Sequence, residues 1–303
     1  MGTKINNLKV VKVVDGDTIN VELNGEIEKL RLICVDTEES HPGGSKPVTV
    51  MGKNASEMAK QYFNLEENPN GVFVDIEFDT DDPVEVCLKK HRGNYGRLLC
   101  YVHKDSENYN FKLIHEGWSP YFEKYGRSRI YHNDFTNAEF FAQAHDRNIW
   151  NTIANQQGQT RGKYCKLKNW WSTRALVVED YRNYGISTGV LSVRLDYDKI
   201  KQASEQEENI TVLCDLQSGI DRRSENGAVI FAGSKYHKFN LWIPDIDSDE
   251  SERIINLIEK RYSGTEGNGY GYVYVSGKVT KYNNTPQIIL TDIKQLSDFP
   301  PST

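Results

Sequence analysis

Charged side chains suited to phosphodiester hydrolysis lie in three short segments of the first hundred residues. These segments are Val14-Asp15-Gly16-Asp17-Thr18, Arg31-Leu32-Ile33-Cys34-Val35-Asp36-Thr37-Glu38-Glu39 and Asn94-Tyr95-Gly96-Arg97. A phosphodiester is an anion, so attack on it needs a divalent cation and fixed positive donors that offset the charge built up in the transition state. Because carboxylates hold a metal and arginines hold a phosphate, the set predicts a metal-dependent phosphodiesterase site.

The chain around these motifs predicts β-strands whose ends carry the charged residues. The residues on both sides of the Asp-Gly-Asp motif are rich in valine and isoleucine, and a second apolar run ends at Asp36. Gly16 permits a tight bend between the two aspartates. Asp17, Asp36 and the backbone carbonyl of Thr37 could supply three oxygen ligands, which suit Ca²⁺ better than Zn²⁺.

The residue types also suggest a mechanism. Glu39 can orient and deprotonate a water near the cation, as a general base or as a positioner. Arg31 and Arg97 can each present paired N–H donors to phosphate oxygens, a geometry that lysine does not reproduce. Since the transition state carries extra negative charge, we expect removal of either arginine to lower turnover more than binding.

Five motifs together resemble the staphylococcal nuclease (thermonuclease) family. They are Asp-Gly-Asp-Thr at 15–18, Arg-Leu-x-x-Val-Asp-Thr-x-Glu at 31–39, His-Pro at 41–42, Tyr-Gly-Arg at 95–97 and Asn-Ile-Trp at 148–150, which occur in the family's order and spacing. The resemblance covers about the first half of the chain. It implies an oligonucleotide-binding barrel with one bound Ca²⁺, held by Asp17, Asp36 and the Thr37 carbonyl.

The resemblance implies roles for further residues. Glu39 handles the attacking water, while Arg31 and Arg97 clamp the phosphate. Tyr125 falls where the family places a tyrosine beside the bound nucleotide, and Tyr95 is a second candidate substrate contact. The family's activity implies cleavage of the P–O5′ bond of DNA or RNA, which leaves 3′-phosphate ends, with single strands preferred.

Two departures from the family pattern concern affinity for the nucleotide rather than the chemistry. Glu123 stands where the best-known member has a tyrosine, and the loop at 41–53 is slightly longer.

Other functions stay open. An isolated Asp-Gly-Asp is usually a turn, and nuclease-like barrels that have lost their sites serve as non-catalytic nucleic-acid or protein-binding scaffolds. A third alternative keeps the catalysis but directs it at a special substrate chosen by the second half of the chain. The completeness of the charged positions favours an enzyme.

Charge is unfavourable for nonspecific binding of nucleic acid. The 303 residues carry a formal net charge of −6; residues 1–150 contain 18 Lys and Arg against 24 Asp and Glu, and residues 151–303 contain 19 of each sign. Counterion release supplies most nonspecific affinity, so we expect that affinity to be weak. Two basic clusters, at 89–97 and 124–129, either offset this deficit of positive charge locally or are simply solvated loops. DNA or RNA is the expected partner, and no protein partner is inferred.

Cellular location is not predicted. The sequence has no apolar run long enough to span a membrane, and its N-terminus lacks the apolar core of a leader peptide. An exported precursor whose leader was removed stays an alternative. The five cysteines form no Cys-x-x-Cys pair, which argues against a zinc site and favours buried thiols.

The predicted fold is mainly β, with a nuclease-like barrel in residues 1–150. Its predicted helices lie at 53–65, 111–117 and 136–147. Residues 151–178 indicate a linker or ordered tether, in which at least one of Trp170 and Trp171 should dock against a domain. The acidic segment 75–82 is expected to be solvated, with a second metal site as the alternative.

Residues 179–303 are predicted to form an accessory domain. Strands at 186–195, 210–216, 238–244, 272–279 and 287–291, with a helix at 252–262, suggest a second oligonucleotide-binding type of barrel. Tyr270, Tyr272 and Tyr274 alternate along one strand and could form a base-stacking platform. Alternatively, these tyrosines simply suit a half-buried strand. The domain is expected to assist nucleic-acid binding, with protein docking or a structural role as alternatives.

Overall fold

The computed structural model describes residues 1–43, 46–216, 219–264 and 269–301. The chain forms two compact units, residues 1–93 with 97–164, and residues 94–96 with 165–303. The predicted functional boundaries at 150 and 178 stay a prediction. Within the described ranges, no helix has both the length and the apolar composition needed to cross a bilayer.

The first unit combines a β-sheet with short helices. Its strands are β1 (Lys4–Asp15), β2 (Thr18–Leu23), β3 (Glu26–Leu32), β4 (Val72–Glu77), β5 (Leu98–Lys104) and β6 (Glu107–Asn108). Its helices are α1 (Val50–Phe63), α2 (Val84–Lys90), α3 (Tyr109–His115), α4 (His132–Ala144) and α5 (Thr152–Gln156), with a 3₁₀ turn at Asn148–Trp150 between the last two.

Strands β1 to β5 close into a barrel, which confirms the predicted fold of the first unit. The strand order is β3-β2-β1-β4-β5-β6, and a parallel pairing of β3 with β5 joins the two sides. Alternate residues point inward, and Ile19, Leu30 and Leu98 are fully buried in the core. Thr18 pairs with Arg31 across β2 and β3, so the register places the Asp-Gly-Asp turn beside the arginine.

Helix α1 is packed against the loop that carries the second acidic motif. It begins earlier than predicted, because the Thr49 side chain caps it by accepting a hydrogen bond from the Gly52 N–H at 2.9 Å. A Cβ atom on Gly52 would lie 2.2 Å from the Glu39 carbonyl oxygen. Glycine at this position therefore lets the helix approach the Glu39 backbone closely.

The acidic segment 75–82 is not uniformly solvated, so this prediction is wrong for two of its residues. Glu77 is completely buried and accepts a hydrogen bond from the Tyr131 hydroxyl at 2.6 Å. Asp79 is also buried and accepts one from the Tyr101 hydroxyl at 2.8 Å. Both carboxylates thus have internal donors, which a solvated loop would not provide.

The second unit contains the remaining elements. Its helices are α6 (Tyr164–Asp180), α7 (Tyr197–Gln206) and α8 (Asp249–Leu257), and π-helical turns follow at Tyr181–Gly185 and Ile258–Tyr262. Its strands are β7 (Leu191–Ser192), β8 (Asn209–Asp215), β9 (Arg222–Ser224), β10 (Gly227–Phe231), β11 (Asn240–Pro244), β12 (Tyr272–Tyr282), β13 (Thr285–Ile289) and β14 (Leu296–Ser297). The predicted linker at 151–178 is thus largely helical.

The strands of the second unit form one sheet in the order β7-β8-β12-β13-β11-β10-β9, with β14 beside β12. β11 and β13 are parallel, while the pairs β8 with β12, β12 with β13 and β10 with β11 are antiparallel. Side chains such as Ile230, Leu241 and Ile288 are fully buried on one face of this sheet. Closure of the sheet into a second barrel stays a prediction.

Two tyrosines of the predicted stacking platform, Tyr272 and Tyr274, are buried in strand β12. The expected alternation is present, because Val273 lies in the core while Tyr272 and Tyr274 face the opposite side. That side, however, is covered by apolar residues of α6, and the Tyr274 hydroxyl donates a hydrogen bond to the Val177 carbonyl at 3.2 Å. Tyr272 is 7% exposed and Tyr274 is 1% exposed. These two rings cannot stack on bases, so the prediction is wrong for them.

Candidate active site

The turn between β1 and β2 presents Asp17 to the second acidic motif. The Asp17 carboxylate is buried, and its Oδ2 accepts a hydrogen bond from the Thr37 N–H at 2.9 Å. A Cβ atom on Gly16 would lie 2.9 Å from the Thr37 side chain. Glycine is therefore required here by close packing on Thr37.

Arg31 joins the two aspartates at the end of β3. Its Nη1 lies 2.8 Å from Asp17 Oδ2, and its Nη2 lies 2.8 Å from Asp36 Oδ1. Nη1 also donates to the Val35 carbonyl at 3.0 Å. Burial would lower the pKa of Arg31, but the two carboxylates raise it above its ordinary value. One guanidinium thus holds together the carboxylates that the sequence assigned to a metal.

Asp36 has more positive neighbours than its motif indicates. Its Oδ2 accepts from Lys46 Nζ at 2.5 Å and from Arg161 Nη2 at 3.2 Å, in addition to the contact of Oδ1 with Arg31. Burial alone would raise the pKa of Asp36, but Lys46, Arg161 and Arg31 together hold it far below its usual range. The Asp36 N–H donates to Ser119 Oγ at 2.7 Å, so side chain and backbone are both fixed.

The two glutamates that follow Thr37 have different environments. Glu39 is partly exposed, and burial together with the negative charges of Asp17, Asp36 and Asp15 raises its pKa, although Lys46 acts in the opposite direction. Glu38 is 1% exposed and points to internal donors. Only Glu39 of the pair therefore combines access to solvent with proximity to the aspartates.

The remaining predicted residues lie around Arg31 and Thr18. Arg97 Nη1 donates to Thr18 Oγ1 at 3.3 Å, which places a second guanidinium next to the Asp17 turn. A Cβ atom on Gly93 would lie 3.3 Å from the Tyr125 hydroxyl and 3.9 Å from the Arg97 carbonyl oxygen, so Tyr125 lies near the backbone of Arg97. Tyr95 is 73% exposed. The structure thus brings Asp17, Arg31, Asp36, Glu39 and Arg97 together and leaves Tyr95 at the surface.

The donor set suits a hard divalent cation in its chemistry. Asp17 and Asp36 present carboxylate oxygens to the same guanidinium, so their side chains converge. Within the described part of the chain, three or more His, Cys, Asp or Glu side chains are nowhere arranged to hold a metal ion. Further ligands would accordingly be a backbone carbonyl such as that of Thr37, and water, which is a combination that Ca²⁺ accepts.

Sequence reasoning missed three residues of this region. Lys46 and Arg161 contact Asp36, and Glu38 accepts hydrogen bonds from residues remote in sequence. No local motif marks Lys46 or Arg161, since the first lies in a loop and the second in a polar segment that resembles a linker. The one available signal was the position of Glu38 between two motif residues.

Comparison with known proteins identifies the relatives of this chain. The profile of the family described as staphylococcal nuclease homologue matches residues 29–152. The thermonuclease of Staphylococcus hyicus is 34% identical over 143 residues, which are 47% of this chain and 74% of that protein. Uncharacterized protein MJ1439 of Methanocaldococcus jannaschii is 34% identical over 168 residues, 48% of this chain and 72% of that protein. Endonuclease YncB of Bacillus subtilis is 31% identical over 147 residues, which are 48% of this chain and 63% of that protein. From these similarities and the predicted motifs, the chain belongs to the staphylococcal nuclease family.

Proposed function

We propose that this chain, a nuclease by family, hydrolyses phosphodiester bonds of DNA or RNA with one Ca²⁺ ion and leaves 3′-phosphate ends. The observation that supports this most is the convergence of Asp17 and Asp36 on Arg31, with the partly exposed carboxyl of Glu39 among them. The thermonuclease and endonuclease named among the relatives support the substrate class.

In this proposal, the residues of the site divide the work of hydrolysis. Glu39 accepts a proton from the attacking water, because its carboxyl is partly exposed and lies near the two aspartates. Arg97 and Arg31 donate hydrogen bonds to phosphate oxygens as negative charge develops there. When bound by Asp17 and Asp36, Ca²⁺ supplies positive charge that polarises the phosphate.

The test of this proposal is cleavage of labelled single-stranded DNA and RNA by the full chain. We expect cleavage with Ca²⁺ and none with chelator. Glu39→Gln should lower kcat by about two or more orders of magnitude, as loss of a positioned general base does. Glu57→Gln is the matched control, because Glu57 lies on the surface of α1 with its side chain 60% exposed and should leave kcat unchanged.

The cleavage products, or the absence of cleavage, test different parts of this proposal. Analysis of the end groups tests the 3′-phosphate assignment directly. Binding of nucleic acid without cleavage under any divalent metal would contradict the proposed activity and favour the alternative, a non-catalytic scaffold.

We also propose that the second unit assists by capturing single strands, on a surface other than the predicted tyrosines. The exposed face of the β9, β10, β11 and β13 sheet carries aromatic and polar side chains. Cross-strand pairing aligns Phe231 with Asn240 and Asn240 with Gln287. Phe231 is 55% exposed, and Trp242 lies on the same face two residues after Asn240. Trp242 is partly exposed, and aromatic rings open to solvent between polar groups are suited to stacking on unpaired bases.

Two further features support this surface. Trp242 requires Gly227 on the neighbouring strand, because a Cβ atom there would lie 2.5 Å from the tryptophan ring. Arg222 pairs with Val229, and Val229 pairs with Trp242. The exposed Arg222 side chain therefore lies on the same face as Trp242, where it could contact a phosphate. We call Arg222, Phe231, Asn240, Trp242 and Gln287 the open face.

The open face can be tested without cleavage. In a Glu39→Gln background, Trp242→Ala and Phe231→Ala should each weaken binding of single-stranded DNA about five- to tenfold, given what one stacked base contributes. Phe140→Ala is the control, because Phe140 is 74% exposed on the first unit. Equal affinity of all variants would overturn the capture role and leave the nuclease proposal intact.

A further inference from the structure

Residues after the family match reach into the active site. The matched region ends at residue 152, yet Arg161 contacts Asp36 through its side chain and Glu38 through its backbone N–H, at 3.2 and 2.9 Å. Arg161 has a side chain only 6% exposed. We call residues 159–164 the strap, since this segment fastens the loop that carries the second acidic motif.

Glu38 is the residue through which the strap acts on this loop. Its Oε1 accepts hydrogen bonds from the Arg161 N–H and from the Tyr164 hydroxyl. Its Oε2 accepts one from Thr49 Oγ1 at 2.5 Å, the same hydroxyl that caps α1. A carboxylate that is 1% exposed and has three donors is fixed in position. Glu38 therefore ties the strap, the loop and the start of α1 together.

The strap is itself held in place on both sides of Arg161. The Gln159 carbonyl accepts a hydrogen bond from the Met51 N–H at 3.0 Å, which joins the strap to α1. The Tyr164 ring packs against Trp150, with 5.2 Å between ring centroids, and the Arg161 guanidinium lies 5.3 Å from the centre of the same ring. Burial raises the pKa of Tyr164 well above its ordinary value, so its hydroxyl stays protonated as a donor.

We propose that Arg161 and Tyr164 are positioning residues of the active site, which fix the carbonyl of Thr37 and the carboxylates of Asp36 and Glu39 for catalysis. Thr37 and Glu39 are the chain neighbours of Glu38, so a shift of Glu38 moves both. Arg161 adds a direct contact with Asp36. This inference rests on the proposed nuclease function, and it extends the active site into a segment outside the family profile.

The test compares full-length variants whose changes are small. Tyr164→Phe removes one donor to Glu38 and keeps the ring against Trp150. We expect kcat on single-stranded DNA to fall about tenfold, as displacement of catalytic groups does, while KM stays within about twofold. Ca²⁺ binding, measured by calorimetry without substrate, should weaken at least about threefold because the Thr37 carbonyl is no longer held. Glu38→Gln should act similarly, and adding Tyr164→Phe to it should lower kcat by less than the product of the two single effects.

The matched control is Tyr131→Phe. It removes a part-buried hydrogen bond from a tyrosine hydroxyl to the Glu77 carboxylate, and it should lower the melting temperature without changing kcat or Ca²⁺ binding. At Arg161, Lys should retain more activity than Ala, because a lysine can still place a charge near Asp36.

Two outcomes separate this inference from the proposed function. If the wild-type chain cleaves and Tyr164→Phe matches Tyr131→Phe, with a lower melting temperature but kcat and Ca²⁺ affinity within about twofold of wild type, the strap only stabilises the fold and the inference is overturned. If the wild-type chain does not cleave under any metal, the nuclease proposal itself fails, and Ca²⁺ binding by calorimetry still decides whether the strap positions the ligands.

Discussion

Removing the charge of Asp36 should destabilise the metal-free protein more than removing the charge of Asp17. Asp36 accepts contacts from Arg31, Lys46 and Arg161 at 2.8, 2.5 and 3.2 Å, whereas the described cation at Asp17 is Arg31 at 2.8 Å. In Asp36→Asn, three cations lose their shared counter-ion. In Asp17→Asn, Arg31 keeps Asp36.

The expected losses in the free energy of unfolding follow from the burial of these side chains. Lys46, Arg31 and Arg161 have side chains 24%, 14% and 6% exposed, so solvent screens them little. Breaking such a pair from one side costs about 3–5 kcal/mol, since a buried charge is left uncompensated. Loss of one charge-assisted hydrogen bond costs about 1–3 kcal/mol. We therefore expect the free energy of unfolding to fall by about 3–5 kcal/mol in Asp36→Asn and by about 1–3 kcal/mol in Asp17→Asn.

The assay is urea unfolding in chelator at pH 7, followed by circular dichroism. The transition that Ca²⁺ shifts in the wild-type chain is assigned to the first unit. The pKa of Asp36 is lowered in the folded state, so its contribution is complete above the unfolded pKa of about 3.9 and declines as pH falls below it. The gap between wild type and Asp36→Asn should therefore narrow below about pH 4. An equal or smaller loss for Asp36→Asn than for Asp17→Asn would refute the reasoning.

Three further predictions concern other parts of the chain. In metal-free protein, a carbon-13 NMR titration should place the pKa of Glu39 above the ordinary glutamate value of about 4.3, because burial and the neighbouring carboxylates favour its protonated form; a midpoint at or below 4.3 would contradict this. Gly16→Ala should weaken Ca²⁺ binding in calorimetry and lower the melting temperature, since the new Cβ would lie 2.9 Å from the Thr37 side chain. Adding Thr37→Ala removes this close contact and should restore part of the lost melting temperature. Tyr274→Phe should destabilise the second unit by about 1 kcal/mol through loss of its hydrogen bond to Val177 and leave single-strand affinity unchanged; reduced affinity at equal stability would restore the predicted platform.

Much of the first unit was predictable because its signals are local. Asp17 and Arg31 lie at ends of strands with clear apolar patterns, and the pairing of Thr18 with Arg31 follows from a short β-hairpin between β2 and β3. The three helices predicted in this unit are present, with ends displaced by a few residues. Helix α2 was missed; it has the same length as α3, but it begins after Pro83 without a side-chain cap, whereas Asn108 caps α3.

The second unit was less predictable because its decisive contacts are remote in sequence. The strand at 186–195 is reduced to Leu191–Ser192, and it follows a helix, α6, that lies mostly in the segment predicted as a linker or tether. Alternation correctly separated Val273 from its tyrosine neighbours. It could not indicate that α6 covers the tyrosine side, because alternation gives the two faces of a strand and not what packs on each.

The sequence by itself determined the family, the barrel of the first unit and the identity of its charged motif residues, because these depend on residue types at short fixed spacing. Only the tertiary structure decided that Asp36 meets Lys46 and Arg161 and that Glu38 joins the strap to α1. Arg161 lies 125 positions after Asp36 in the chain. Contacts over such separations form when the whole core packs, and local patterns in the sequence do not encode them.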